Sequence, residues 1–139
     1  MLLNRASQYT LQALIYLARQ PPGQRIMIRD IAAALGLPMF YLTKLMRAPA
    51  RAGWLDAVRG RSGGVMLTVD AAGIRLADIL QLTGEHPFER ECLLGFKACE
   101  DASACVMHCA WQPIKQEIAD DLSQHSLADL AGAWMPPTA

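Results

Sequence analysis

Residues 28–45 read Ile28-Arg29-Asp30-Ile31-Ala32-Ala33-Ala34-Leu35-Gly36-Leu37-Pro38-Met39-Phe40-Tyr41-Leu42-Thr43-Lys44-Leu45. Apolar side chains stand at Ile31, Leu35, Leu37, Leu42 and Leu45, and Ala32 is small where two helices would have to cross closely. Gly36 sits where a tight turn asks for a backbone conformation that a side chain disfavours. Pro38 suits the opening of a second helix, which runs to about residue 52 before Gly53 stops it. This is the spacing of a helix-turn-helix, whose second helix lies in the major groove of DNA. An ordinary helix pair in an all-α core would share the pattern, so the flanking sequence has to separate the two.

Downstream, Trp54-Leu55-Asp56-Ala57-Val58-Arg59 and Val65-Met66-Leu67-Thr68-Val69 read as short strands around the turn Gly60-Arg61-Ser62-Gly63-Gly64. A helix-turn-helix followed by a hairpin is a winged helix. The expected fold is therefore mainly α with a small β-hairpin wing. Upstream, a helix is expected over about residues 7–19, ended by Pro21-Pro22-Gly23. A fourth helix follows at about 75–82, with Leu76, Ile79 and Leu80 on one side. Residues 84–110 read as an irregular loop. Trp111, Ile114, Ile118 and Leu122 then form the apolar stripe of a helix, in which Pro113 is tolerable only in the first turn. A last helical piece carries Leu127, Leu130 and Trp134, and Pro136-Pro137 closes it. The expected division is 1–83 for the winged helix, 84–110 for a cysteine-rich loop and 111–139 for the last helices.

The charge is uneven. The 139 residues carry 13 Lys+Arg and 13 Asp+Glu. Nine of the basic residues (Arg5, Arg19, Arg25, Arg29, Lys44, Arg47, Arg51, Arg59, Arg61) lie in residues 1–65, against only Asp30 and Asp56. That half is +7 and the remainder −7. A polyanion is the natural partner of such a half, and double-stranded DNA is the one the motif implies. The N-terminal part of the second helix then meets base edges, with Met39, Phe40, Tyr41, Thr43 and Lys44 as candidates. Arg47 is placed on phosphate, and Arg59 and Arg61 flank a wing turn that can reach the minor groove.

All four cysteines, Cys92, Cys99, Cys105 and Cys109, fall within eighteen residues, with His108 among them. Three or four thiolates and an imidazole on one loop suit a metal or an iron–sulfur centre. The acidic neighbours Glu100 and Asp101 disfavour a bare thiolate, and a bound cation would compensate them. A reversible disulfide and inert buried thiols are the other readings of the same spacing. A zinc-stabilised interaction module is a further one, opposed by the basic half.

There is no HExxH, no phosphate-cradling glycine loop and no GxSxG, and His86, His108 and His125 are scattered without an evident nucleophile partner. An enzyme is therefore not expected. No apolar run approaches the roughly 18 residues that cross a bilayer, and the first residues have no signal-peptide pattern, so a cytoplasmic protein is the expectation.

Taken together, these residues resemble the Rrf2 family of bacterial transcription regulators. The resemblance rests on Ser7-Gln8-Tyr9, Tyr41-Leu42, Ala52-Gly53-Trp54-Leu55 and Ile74-Arg75-Leu76-Ala77-Asp78-Ile79. It rests equally on the three spaced cysteines, His108, Trp111 and Ser126-Leu127-Ala128-Asp129-Leu130. Arg59-Gly60-Arg61-Ser62-Gly63-Gly64 matches the family's wing signature, which adds Ser62 and Gly63 to the candidate DNA contacts.

The resemblance implies a homodimer joined through a long C-terminal dimerisation helix. It also implies an iron–sulfur cluster, 2Fe–2S or 4Fe–4S, on Cys92, Cys99 and Cys105, with His108 as fourth ligand and Cys109 its rival. In the family's nitric-oxide sensors an acidic residue near the N-terminus completes the site; Gln8 stands there in this chain. The gap between the first two cysteines is one residue longer than in the family's cluster-assembly regulators. Pro49, where the family has an unbroken helix, should loosen the last turn before Gly53.

Overall fold

The computed structural model describes residues 3–85, 92–96 and 99–133. Trp134, Pro136, Pro137 and His86, named above, lie outside them. The order is four helices, a two-stranded hairpin and three more helices, with short 3-10 turns at Ala71–Gly73 and Asp101–Ser103. It is a winged helix, as the sequence implied.

α1 covers Arg5–Ala18 and starts two residues earlier than expected. The cause is Asn4, whose side chain accepts the Ser7 amide at 2.8 Å and so satisfies one of the free donors of the first turn. α2 covers Ile28–Leu35 and stops at Gly36, which is left-handed at φ 66°. α3 follows at Met39–Leu45, with Pro38 as the extended residue before it rather than its first residue.

The single helix expected to residue 52 is two: α3 and a short α4 at Arg47–Arg51. Pro49 is the physical reason. It has no amide to give the Leu45 carbonyl one turn back, so the ladder breaks at Met46, a turn before the expected loosening near Gly53. Pro49 is itself buried, so the kink is also a packing contact.

The hairpin pairs β1, Leu55–Val58, with β2, Gly64–Leu67, and Leu55 faces Leu67. Residue Ile26 adds a third rung, exchanging backbone bonds of 2.9 and 2.7 Å with Val65. The approach is close enough to require Gly64: a Cβ there would lie 2.4 Å from the Ile26 carbonyl oxygen. The wing is thereby anchored to the segment entering α2.

α5 covers Leu76–Leu82, α6 His108–Gln124 and α7 Leu127–Ala133. α6 begins three residues before Trp111, so Pro113 lies in its second turn and not its first, and the Cys109 carbonyl loses the amide that would normally reach it. Along the expected stripe Trp111 is buried, Ile118 and Leu122 are half-buried and Ile114 is exposed. After α6 the chain turns back. Leu76 donates to the His125 carbonyl at 3.0 Å and Leu127 to the Ile74 carbonyl at 2.8 Å, which lays α7 against α1. One core results, built on Leu14, Ile31, Leu42, Val65, Ile74, Ile79 and Leu127. A small second cluster joins Cys99 and Trp111 to Ile118 and Leu122. Among the described residues no helix is long and apolar enough to cross a membrane.

Candidate nucleic-acid interface and cysteine centre

α3 divides its residues between core and solvent. Leu42 is fully buried and Leu45 half-buried, which turns Met39, Phe40, Tyr41, Thr43 and Lys44 outward. Phe40 is 80% exposed, a heavy apolar exposure for a side chain with no structural duty. Tyr41 is held edge-on against Tyr9 of α1, ring centres 5.8 Å apart. Thr43 gives its hydroxyl to the Met39 carbonyl at 2.9 Å.

On the wing, Arg59, Arg61 and Ser62 are exposed. Gly63, expected among the contacts, is buried: its amide goes to the Gly60 carbonyl at 2.9 Å, and a Cβ would strike the Val58 carbonyl oxygen at 2.3 Å. Its part is to shape the turn.

Between helix and wing lies a groove of about 600 Å³ with an apolar floor and Arg29, Arg47 and Arg59 along it. Arg29 was not among the expected contacts; its place at the first turn of α2 was the available signal. Arg25, by contrast, is withdrawn from the basic surface. It pairs with Asp56 at 2.5 Å and reaches the Asp56 carbonyl at 3.1 Å, bracing the wing.

The cysteine loop forms two donor pairs. Cys92 and Cys105 bring their sulfurs to 3.6 Å. Backbone amides, first that of Phe96 and then that of Leu94, point at Cys92 and hold its thiol below the usual value. In the second pair, the Cys99 sulfur lies 3.3 Å from His108 Nδ1, both residues being buried. His108 Nε2 meets Asp101 Oδ1 at 3.0 Å. From the next turn of α6, Gln112 donates to the Cys99 carbonyl at 3.4 Å. No nucleophile–base pairing was evident from the spacing of the histidines; the fold makes one with α6 starting at His108. Cys109, one residue on, is exposed. Gln8 gives its amide to the Leu3 carbonyl at 2.7 Å, at the start of its own helix.

Cysteine thiolates hold iron–sulfur centres and histidine replaces cysteine in some of them, and in a two-iron cluster each iron takes two protein ligands. Two pairs fit that demand. Among the described residues no three such groups converge on one point. On donor chemistry the residues fit a cluster.

The family model described as Rrf2, iron-dependent transcriptional regulator, matches residues 3–133. Among solved structures, CymR, the global cysteine regulator of B. subtilis, is similar at 24% identity and a TM-score of 0.79, covering 97% of this chain and 99% of that one. The oxidized form of Staphylococcus aureus CymR is similar at 26% identity and 0.74, covering 97% and 98%. T. potens IscR is similar at 24% identity and 0.71, covering 100% and 93%.

Proposed function

The chain belongs to the Rrf2 family of iron-dependent transcriptional regulators, and from that premise we propose that its DNA affinity is governed by an iron–sulfur cluster on Cys92, Cys99, Cys105 and His108. The observation that carries this reading is the pairing of those four donors, at 3.6 and 3.3 Å, between the cysteine-bearing loop and the first residue of α6. When bound, the cluster supplies a redox- and nitric-oxide-sensitive centre. The chain's own residues do the rest. The cysteines fix the loop, and His108 starts the helix that a second copy packs against. Two wings and two recognition helices are thereby set at one spacing.

A two-fold dimer reads two half-sites about one helical turn apart, so a small rotation at α6 mismatches them with the groove. Residues 1–83 act as the reader, 84–110 as the sensor and 111–139 as the coupling element. On DNA, α3 offers Met39, Phe40, Tyr41, Thr43 and Lys44 to base edges, and Arg47, Arg59, Arg61 and Ser62 take phosphate or minor-groove contacts. The protein works as a regulator and not as an enzyme.

Anaerobic purification tests the reading. The expected result is a coloured protein with iron and sulfide that shifts DNA from upstream of its own gene, with affinity falling steeply as salt rises. Colourless protein after reconstitution with iron and sulfide contradicts it.

One observation favours a second reading. Thiols 3.6 Å apart, one with a lowered pKa, can be joined by a peroxide: Cys92 and Cys105 give up two protons and two electrons, the sulfurs bond, and the peroxide leaves as two waters. A metal-free protein whose DNA binding is reversed by peroxide and restored by thiols would favour that reading.

A further inference from the structure

We propose that Asp101 is a positioning residue for His108, and that it makes Nδ1, not Nε2, the ring atom offered to iron beside the Cys99 sulfur. The inference rests on the cluster reading above and deepens it.

A carboxylate oxygen accepts hydrogen bonds and cannot donate one. The 3.0 Å contact from Asp101 Oδ1 therefore requires the proton on His108 Nε2. A neutral imidazole carries one N–H, so Nδ1 is left with its lone pair. In that tautomer the lone pair faces Cys99 Sγ at 3.3 Å. His108 is 7% exposed and its ring has a polar neighbour on each side. The Gln112 amide, 3.4 Å from the Cys99 carbonyl, steadies the cysteine from the same helix.

Two consequences follow from general metal chemistry. A ring nitrogen binds metal through its lone pair, so the tautomer decides which nitrogen is available. The outer nitrogen of a ligating histidine is ordinarily held by a carboxylate or carbonyl, which sets the tautomer and strengthens the donor; removing that partner costs about 10–100-fold in metal affinity. Asp101 lies in the 3-10 turn Asp101–Ser103, and its side chain stays in solvent while its oxygen reaches the buried ring. A change there alters the ring's orientation without opening the core.

The experiment uses the full chain with histidine labelled at 15N, as wild type, Asp101→Ala and Asp101→Asn. In reduced, metal-free protein, proton–nitrogen correlation spectra report the His108 tautomer. In anaerobically reconstituted, dithionite-reduced protein, pulsed EPR with label at Nδ1 alone reports which nitrogen couples to the cluster. Iron and sulfide are counted in each sample.

The expected wild type carries its proton on Nε2 and couples through Nδ1. Asp101→Ala mixes the tautomers and sheds the cluster about tenfold more readily or worse. Asp101→Asn, which keeps an oxygen acceptor, restores the tautomer and the Nδ1 coupling. Three results overturn the inference while leaving the cluster reading standing: a loaded wild type coupled through Nε2, a metal-free wild type with its proton on Nδ1, or spectra unchanged in Asp101→Ala. A wild type that takes up no iron and no sulfide overturns the ligation and the cluster reading together.

Discussion

At the scale of single residues, some basic side chains brace the fold and others stand exposed beside the groove. Arg59 and Arg25 show the difference. Both belong to the basic half, yet Arg25 is bound to Asp56 and Arg59 is exposed on the wing. Arg59→Ala is expected to weaken binding about equally across DNA sequences and to lower the salt slope by about one; anisotropy titrations at several salt concentrations would show it. Lys44→Ala should instead relax preference at one base position, by about 1–3 kcal/mol, as competition among variant sites would reveal. If the two substitutions act alike, the division between phosphate and base contacts is wrong. Gly64→Ala has a structural outcome: the added Cβ meets the Ile26 carbonyl, so the wing must shift and the melting temperature should fall. Turn glycines were legible at Gly60–Gly64 from composition alone. The need for Gly64 was not, because the backbone it approaches is Ile26, distant in sequence and silent in any local pattern.

At the scale of elements, the helices and the hairpin followed from periodicity and punctuation, and the departures trace to proline and to caps. Pro49 breaks the recognition segment at Met46 because the missing amide is felt one turn upstream. Pro113 sits inside α6 because that helix starts at His108, a start that an irregular-looking, cysteine-bearing loop concealed. The same hidden start kept the Cys99–His108–Asp101 chain out of sight. The spacing supplied the candidates, but the turn at Asp101–Ser103 and the start of α6 at His108 together place them in contact.

α7 depends on a reciprocal cap. Ser126 Oγ accepts the Asp129 amide at 3.1 Å, and Asp129 Oδ2 accepts the Ser126 amide at 2.9 Å. Ser126→Ala should cost about 1 kcal/mol of stability in denaturant unfolding. The cap also carries a pH dependence. The Ser126 amide, and then its hydroxyl, hold the Asp129 carboxyl below its usual value. A carboxyl depressed in the folded state contributes stability above its unfolded pKa and loses it as pH falls through the folded one. The gap in stability between wild type and Asp129→Asn should therefore be full at neutral pH and close in acid. A gap independent of pH would remove the carboxylate from the account.

At the scale of the whole molecule, the cysteine-bearing segment connects to α3 through packed helices. α6 leads away from the cysteines, and α7 returns to lie on α1, whose Tyr9 touches Tyr41 of the recognition helix. The first 65 residues, which hold the hairpin turn and α3, carry +7 and the remainder, which holds the cysteines, carries −7. The coupling proposed above needs little energy: a tenfold change in DNA affinity corresponds to about 1.4 kcal/mol of differential stability between two forms of the protein.

The most direct test is an anaerobic anisotropy titration of one promoter fragment from upstream of the gene, with cluster-loaded protein, metal-free protein and Cys99→Ala side by side. Loaded and metal-free protein should differ by about tenfold or more in affinity, and Cys99→Ala should follow the metal-free curve whether or not iron and sulfide are supplied. Three superimposable curves would contradict the claim that the cysteine centre governs DNA binding.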